Sequence, residues 1–159
     1  MAYPTTRHRR LRYSSAMREL VRENHISVSD LIYPIFVTEG TAVRNEIESM
    51  PGIYHFSLDQ LGTEIDEFVK LNIPAIMLFG VPDPEHKNEK GTSAFAHDGI
   101  VQRAIRQIKT NYPELVVIAD TCLCQFTTHG HCGIVQQDGD AVYIDNDLSL
   151  TYLVKTAVS

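Results

Sequence analysis

Leu115-Val-Val-Ile-Ala-Asp-Thr-Cys-Leu-Cys124 is the stretch that best indicates the fold, because a short apolar run passes directly into a polar loop. The run from Leu115 to Asp120 has the length and the β-branched content of a buried strand. Side chains that follow such a strand lie at its carboxyl end, where barrels and open α/β sheets carry their chemistry. We therefore expect the loop from Asp120 to Gly133 to hold the functional residues.

Apolar runs alternate with amphipathic segments along the body of the chain. The pattern predicts strands at 31–37, 74–80 and 115–120, and helices at 57–71, 98–109 and 146–158. We expect Ser57 to cap the first of these helices, and Asn146 or Asp147 to cap the last. Three successive βα units predict parallel strands joined by right-handed helical crossovers.

Two α/β architectures are compatible with this order. One is an open doubly wound sheet, and the other is a (β/α)₈ barrel, which needs eight such units and about 250 residues. Gly130-His-Cys-Gly133 lacks the G-x-G-x-x-G spacing of a dinucleotide site, so nothing favours a nucleotide-binding open sheet. A β-hairpin with its turn at Asp138-Gly139 is predicted as a small insertion between the third strand and the last helix.

The beginning of the chain differs in charge from the rest. Residues 1–22 hold six arginines against Glu19, a net of +5, whereas residues 23–159 hold eight basic and nineteen acidic side chains, a net of −11. This contrast predicts an N-terminal arm that lies on an acidic surface of its own body or of a neighbouring subunit. A short helix at 14–24 would be its docking element. Without interleaved aromatic residues, we expect no nucleic-acid binding.

The composition is that of an ordinary globular domain, 43% hydrophobic and 21% charged, which argues against disorder. No apolar stretch approaches the roughly 18 residues that a membrane-spanning helix needs, and the first residues contain no apolar signal-peptide core. We therefore expect no membrane association and a cytoplasmic location.

All three cysteines, Cys122, Cys124 and Cys132, lie within eleven residues. Thiolates are soft ligands that suit zinc, and three protein ligands leave a fourth position open for water or substrate. Such a site would be catalytic, and it would be closed only if His129 or His131 supplied a fourth ligand. Two alternatives stay open on the residues alone: buried apolar cysteines, and a redox pair of thiols.

Asp120 and the two loop histidines have several compatible roles. Asp120 can orient a metal-bound water or help to transfer protons, or it can simply bond to backbone amides at the strand end. His129 and His131 can each be a hydrogen-bond donor to the ligands, a ligand to another metal ion, or a plain loop histidine.

The motifs of the chain closely resemble those of the porphobilinogen synthase (5-aminolevulinate dehydratase) family. They extend from the arm to the cysteine loop: Arg9-Arg-Leu-Arg12, Asp30-Leu-Ile-Tyr-Pro-Ile-Phe-Val37, Ser49-Met-Pro-Gly52, Leu78-Phe-Gly-Val81, Val117-Ile-Ala-Asp-Thr-Cys-Leu-Cys124 and Thr128-His-Gly-His-Cys-Gly133. Many members carry glutamate and tyrosine where this chain has Gln125 and Phe126.

The resemblance implies a TIM barrel, of which residues 30–159 would be about the first three βα units. It implies the condensation of two 5-aminolevulinate molecules to porphobilinogen, a step of heme biosynthesis, with loss of two waters. It also implies that Cys122, Cys124 and Cys132 bind a catalytic Zn²⁺. The residues themselves suggest a supporting role for Asp120 beside this site and make His131 a candidate ligand of a second ion. Some members depend on Mg²⁺ instead of zinc, but this chain keeps all three thiols.

The same resemblance implies a homo-octamer in which the arm, residues 1–29, wraps around a neighbouring barrel. Members of the family hold the first substrate through one of two lysines on later strands, and they carry an allosteric Mg²⁺ ligand there too. None of these groups is among the 159 residues, and Lys155 is predicted on a helix rather than at a strand end. We therefore expect these residues to be inactive on their own.

Two further hypotheses belong to other classes of function. The chain would be a non-catalytic zinc-binding or subunit-assembly module if it co-purified with a complete subunit. It would be a thiol redox protein if two of its cysteines formed a disulfide and no metal were bound. Elemental analysis separates the metal and redox hypotheses.

Overall fold

The computed structural model describes residues 4–5 and 8–159, and only the backbone of His8. The main sheet has five strands: β1 Ile32–Thr38, β2 Arg44–Glu46, β3 Tyr54–Phe56, β4 Ala75–Val81 and β5 Val116–Ala119. A separate antiparallel hairpin is made of β6 Ile134–Asp138 and β7 Ala141–Asp145. The helices are α1 Ser15–Leu20, α2 Leu61–Lys70, α3 Ile100–Asn111 and α4 Asn146–Val158.

The strand order of the main sheet is β2-β3-β1-β4-β5. β1 pairs in parallel with both β3 and β4, and β4 pairs in parallel with β5. The predicted α/β fold with parallel strands and helical crossovers is thus confirmed. Pro34 is tolerated in β1 because β3 pairs with that strand only at Phe36 and Val37, so the half that holds Pro34 has one neighbour.

β2 and β3 were not expected from the sequence. Each is three residues long, and β2 pairs antiparallel to β3 at the edge of the sheet. The turn between them is closed by Ile47 and Ile53, where the N–H of Ile47 donates to the carbonyl of Ile53 at 2.8 Å. A segment as polar as Arg44-Asn-Glu46 carries no apolar period, so only pairing identifies it as a strand.

One face of the sheet forms the core together with α2 and α3. Alternate residues of β1 and β4 are buried there, because successive side chains of a strand point to opposite faces. They join the apolar stripes of the two helices in one cluster: Ile35, Val37, Ile76 and Leu78 with Leu61, Ile65, Phe68, Ile100, Val101, Ala104 and Ile108. Val69 of α2 and Leu71, the residue after that helix, remain exposed.

The opposite face of the sheet is open. The sequence predicted a buried strand at 115–120, but none of the four residues of β5 is buried, and Val116 is 53% exposed. Phe36 and Phe79 stack on this face with their ring centroids 5.0 Å apart, and both are only partly buried. The prediction was wrong for β5 because, among the described residues, α2 and α3 cover the other face of the sheet.

Two predicted helix caps also differ in the structure. The Ser57 hydroxyl donates to Asp59 at 2.6 Å and accepts the Val43 N–H at 2.8 Å, so it ties the β2 segment to a 3₁₀ turn instead of capping α2. The N-cap of α4 is Asp145, whose carboxylate accepts the Leu148 N–H at 3.0 Å. Asn146 and Asp147 already lie inside that helix.

From residue 8 onward, the predicted arm forms three short helical segments joined by irregular chain. Its short helix α1 is capped by the Ser14 hydroxyl, which accepts the Met17 N–H at 3.1 Å. α1 has no buried residue, and Leu20 is 80% exposed, so this expected docking element does not pack against the described body of the chain. Residues 1–3, 6 and 7 of the arm lie outside the described residues. Within 4–5 and 8–159, no helix has both the length and the hydropathy to cross a membrane.

Candidate metal centre

The cysteine loop leaves the sheet at the carboxyl end of β5. The N–H of Asp120 still donates to the carbonyl of Leu78 at 3.1 Å, so the loop starts in register with β4. Leu123 and Phe126 are then buried at 0% and 3% exposure and anchor the loop in the core. The carbonyl of Leu123 accepts the N–H groups of Phe126 and Thr127 at 2.9 and 3.1 Å, which forms a tight turn.

This turn and the return of the chain bring the three thiols together. The Sγ atoms of Cys122 and Cys124 lie 3.3 Å apart, and all three Sγ atoms lie within 4.8 Å of one another. Cys122 and Cys124 are partly buried, whereas Cys132 is exposed. The loop residues that the sequence singled out as a cluster are therefore a cluster in space as well.

The spacing and chemistry of this donor set fit a zinc ion. With Zn–S bonds of about 2.3 Å, tetrahedral geometry requires sulfurs about 3.8 Å apart. The Sγ atoms of Cys122 and Cys124 are 3.3 Å apart and no pair of the three sulfurs is more than 4.8 Å apart, which is compatible with that value. Across the described residues, no histidine or carboxylate joins the group of three thiols, so three ligands would leave a fourth position open.

The three thiols influence each other's protonation. Burial alone would raise the pKa of Cys122, but hydrogen bonds from the Cys124 amide and from the other two thiols outweigh it and lower that pKa. The pKa of Cys124 is raised to about 12. Burial is the largest cause, and the hydrogen bond with Cys122 and the negative charge of the Cys122 thiolate add to it. The hydrogen bond between Cys132 and Cys122, together with the negative charge of the Cys122 thiolate, raises the pKa of Cys132. Three thiolates at this spacing therefore need a cation to neutralise their mutual repulsion.

Asp120 lies beside the thiols and is held by the loop itself. Its Oδ1 accepts the N–H of Cys122 at 3.1 Å, and its Oδ2 accepts from the side-chain amide of Gln125 at 3.3 Å. One of the roles expected for Asp120, an aspartate bonded to a backbone amide at the strand end, is therefore observed. The buried Oε1 of Gln125 has no hydrogen-bond partner.

The two histidines stand apart from the thiol group. Their rings stack with centroids 5.4 Å apart at 26°. His129 accepts the N–H of His131 at Nδ1 and contacts the Glu89 carbonyl through Nε2, both at 3.1 Å, so both of its ring nitrogens are engaged. His131 is exposed, and its role as a ligand of a second ion stays a prediction.

Two supports of the loop were not anticipated from the sequence. The long polar loop after β4 pairs with the cysteine loop: the Asn88 N–H donates to the Phe126 carbonyl at 3.3 Å, and the Thr128 N–H donates to the Asn88 carbonyl at 3.2 Å. The second is Thr127, which is 2% exposed and contacts two loop carbonyls through its hydroxyl. The unusual length of the loop from Val81 to Gly91 was the only sequence signal for the first.

Comparison with known proteins identifies the relatives of this chain. A relative from Halalkalibacterium halodurans, a delta-aminolevulinic acid dehydratase, is 58% identical over 153 residues, which are 96% of this chain and 45% of that protein. A dehydratase of the same name from Staphylococcus aureus is 53% identical over 153 residues, 96% of this chain and 46% of the relative. The chain thus spans a little under half the length of these relatives.

A solved structure supports the same relationship in three dimensions. The delta-aminolevulinic acid dehydratase (porphobilinogen synthase) of Toxoplasma gondii, crystallised with its product porphobilinogen, matches with a TM-score of 0.87 and 37% identity over 96% of this chain and 43% of that one. The family model for delta-aminolevulinic acid dehydratase matches residues 5–159. This chain therefore belongs to the delta-aminolevulinic acid dehydratase family.

Proposed function

We propose that this chain carries the metal-binding half of a porphobilinogen synthase active site, in which two molecules of 5-aminolevulinate condense to porphobilinogen. The observation that carries the proposal is the convergence of three thiols within 4.8 Å at the carboxyl end of β5. Family membership supplies the reaction class, a lyase that removes water, and the thiols supply the metal chemistry.

In this proposal Cys122, Cys124 and Cys132 hold one Zn²⁺. The ion supplies Lewis-acid chemistry, polarising a substrate carbonyl or lowering the pKa of a bound water. Asp120 stands at the strand end with one carboxylate oxygen on the Cys122 N–H and the other on Gln125, so it fixes the first ligand-bearing peptide. From that position it can also accept a hydrogen bond from a group at the open fourth position.

The same proposal places the sheet in a (β/α)₈ barrel. Its support is the parallel order β3-β1-β4-β5 and the one uncovered face, on which Phe36 and Phe79 stack. Four parallel strands with an open apolar face are typical of a sheet that further elements cover. Residues 30–159 would then be the first part of the barrel.

Self-association through the arm completes the proposal, with the homo-octamer of the family as the expected assembly and the cytoplasm as its location. The exposed apolar side chains of the arm, including Leu20 and Ile26 at 80% and 83% exposure, are suited to burial against another subunit. Three free thiols in one loop are suited to a reducing compartment.

The decisive experiment is elemental analysis of the purified protein. We expect about one zinc per chain, as three thiolates form one site. Cys122→Ala should lose the ion, and His131→Ala should keep it, since that ring lies outside the thiol group. Folded wild-type protein without zinc, and with a disulfide between Cys122 and Cys124, would instead support the redox hypothesis.

Turnover is tested separately from metal binding. Supplied with 5-aminolevulinate and zinc, the 159 residues on their own should form no porphobilinogen, because they contain no lysine at a strand end to hold the first substrate. Lys155 lies within α4, with its ammonium near the rings of Phe95 and Tyr152. Robust product formation would contradict this part of the proposal.

The exposed arm also favours a second candidate, a non-catalytic assembly module. That function predicts stable association with a complete dehydratase subunit and retention of the arm at the interface. Co-purification that survives Cys122→Ala would support assembly, and association that requires zinc would support the active-site proposal.

A further inference from the structure

One buried hydroxyl links the two ends of the segment between the second and third thiols. Thr127 Oγ1 lies 3.3 Å from the carbonyl oxygen of Cys124 and 3.1 Å from that of His131, and the residue is 2% exposed. A threonine hydroxyl has one proton, so it donates to one carbonyl at a time or shares the proton between both. In either case it connects the peptide beside Cys124 with the peptide beside Cys132.

The segment that returns to Cys132 is largely exposed, and besides Thr127 it is held by two main-chain groups: the Thr128 N–H donates to the Asn88 carbonyl, and the His131 N–H donates to the His129 ring. Thr128, Gly130, His131 and Cys132 are exposed. Gly130 has a φ of +73°, and no atom lies within 4 Å of the position that a Cβ would take there. Ordering an exposed segment loses conformational entropy, so the position of the Cys132 sulfur depends on the hydrogen bonds that fix its neighbours.

Thr127 is itself fixed to the body of the protein. Its N–H donates to the buried Leu123 carbonyl at 3.1 Å, and it forms an isolated β-bridge with Asn88. Its methyl group is packed close to Gly91, where an added Cβ would lie 3.3 Å away. The hydroxyl is therefore held at a defined place relative to the sheet, and through it so is the His131 carbonyl.

We propose that Thr127 is a positioning residue of the metal centre, whose hydroxyl presents the Cys132 sulfur to those of Cys122 and Cys124. This inference rests on the proposed zinc site and adds to it a residue that does not touch the ion. Loss of hydrogen bonds that orient metal ligands typically weakens metal binding by roughly 10- to 100-fold.

Thr127→Val tests the hydroxyl with little change of shape, Thr127→Ser retains the hydroxyl, and Thr128→Val is the matched control at the exposed neighbour. Zinc affinity is measured by competition with a chromophoric chelator. Co²⁺ is then used as a probe, because its sulfur-to-metal charge-transfer absorbance counts the bound thiolates.

We expect Thr127→Val to bind zinc at least about 10-fold more weakly. Its absorbance per bound Co²⁺ should fall by about a third, as one of three thiolates is lost. Thr127→Ser and Thr128→Val should resemble the wild type.

Unchanged affinity and spectrum in a folded Thr127→Val variant would overturn the inference, since the hydroxyl would then only satisfy its local turn. If that variant fails to fold by circular dichroism, Thr127→Ala compared with Thr127→Ser isolates the hydroxyl: equal cobalt spectra overturn the inference, and a weaker spectrum for alanine supports it. A wild-type protein that binds no zinc overturns the proposed function and this inference together, whereas normal wild-type binding with an unaffected Thr127→Val overturns this inference alone.

Discussion

Asp120 Oδ1 accepts the main-chain N–H of Cys122 at 3.1 Å, so the residue directly after β5 orients the peptide of the first thiol. The other carboxylate oxygen receives the Gln125 amide at 3.3 Å. One side chain thus holds both sides of the turn that carries Cys122 and Cys124, and the geometry of these two thiols depends on it.

Asp120→Ala should therefore weaken zinc binding by about 10-fold, because it removes the acceptor for the Cys122 N–H. Asp120→Asn is the matched control. It keeps an acceptor oxygen and the size of the side chain, so its zinc affinity should fall less than that of Asp120→Ala. Competition with a chelator measures both affinities. Equal affinity for Asp120→Ala and wild type would show that the turn forms without the carboxylate.

Zinc should stabilise the folded protein, because the three thiols are brought together only by the fold. At a free zinc concentration 100 times the dissociation constant, the gain in the free energy of unfolding is about 2.7 kcal/mol. Thermal unfolding with zinc and with a chelator measures the shift. Cys132→Ala is the control and should show a much smaller shift, and the same shift in both proteins would argue against three-thiol binding.

Gly80 in β4 should not tolerate a side chain. A Cβ at this position would lie 2.6 Å from a methyl group of Val101 and 2.8 Å from the ring of Phe126, one of the anchors of the cysteine loop. Gly80→Ala should destabilise the protein by about 1–3 kcal/mol through overpacking, as measured by urea unfolding, and should displace the loop.

Gly62→Ala is the matched control for Gly80→Ala. Gly62 lies in α2, and an added Cβ would meet only the Tyr112 hydroxyl at 3.8 Å, an ordinary contact. Alanine in a helix should stabilise the protein by roughly 0.5–1 kcal/mol relative to glycine. Destabilisation of similar size in both variants would contradict the packing argument.

Asp59 should contribute acid sensitivity to the fold. Hydrogen bonds from the Ser57 hydroxyl, the Gln60 amide and the Ala42 N–H lower its pKa from 3.8 to about 2. Because the folded state has the lower pKa, the stabilisation is fully present above about pH 4 and is lost as the pH falls through 2. Urea midpoints of wild type and Asp59→Asn between pH 5 and 2 should therefore converge at low pH. Parallel curves would contradict the assignment.

The periodic elements could be predicted from the sequence because their signal is local. The strand predicted at 31–37 is β1 at Ile32–Thr38, and the helix predicted at 98–109 is α3 at Ile100–Asn111. The polar strand β2 could not be predicted, since its hydrogen bonds depend on where β3 lies. The cap of α4 could not be predicted either, because Asp145 is the last residue of β7 and the two residues after it, Asn146 and Asp147, are equally good capping residues.

The candidate site divides in the same way. The sequence by itself indicated the candidate ligands, because all three thiols lie in one loop after an apolar run, and it indicated the family through its ordered motifs. Only the tertiary structure decided that the sulfurs of Cys122, Cys124 and Cys132 converge. That convergence depends on contacts between residues far apart in the chain, such as Asn88 with Phe126, and on the burial of Leu123, and the free energy of such contacts is not encoded in local periodicity.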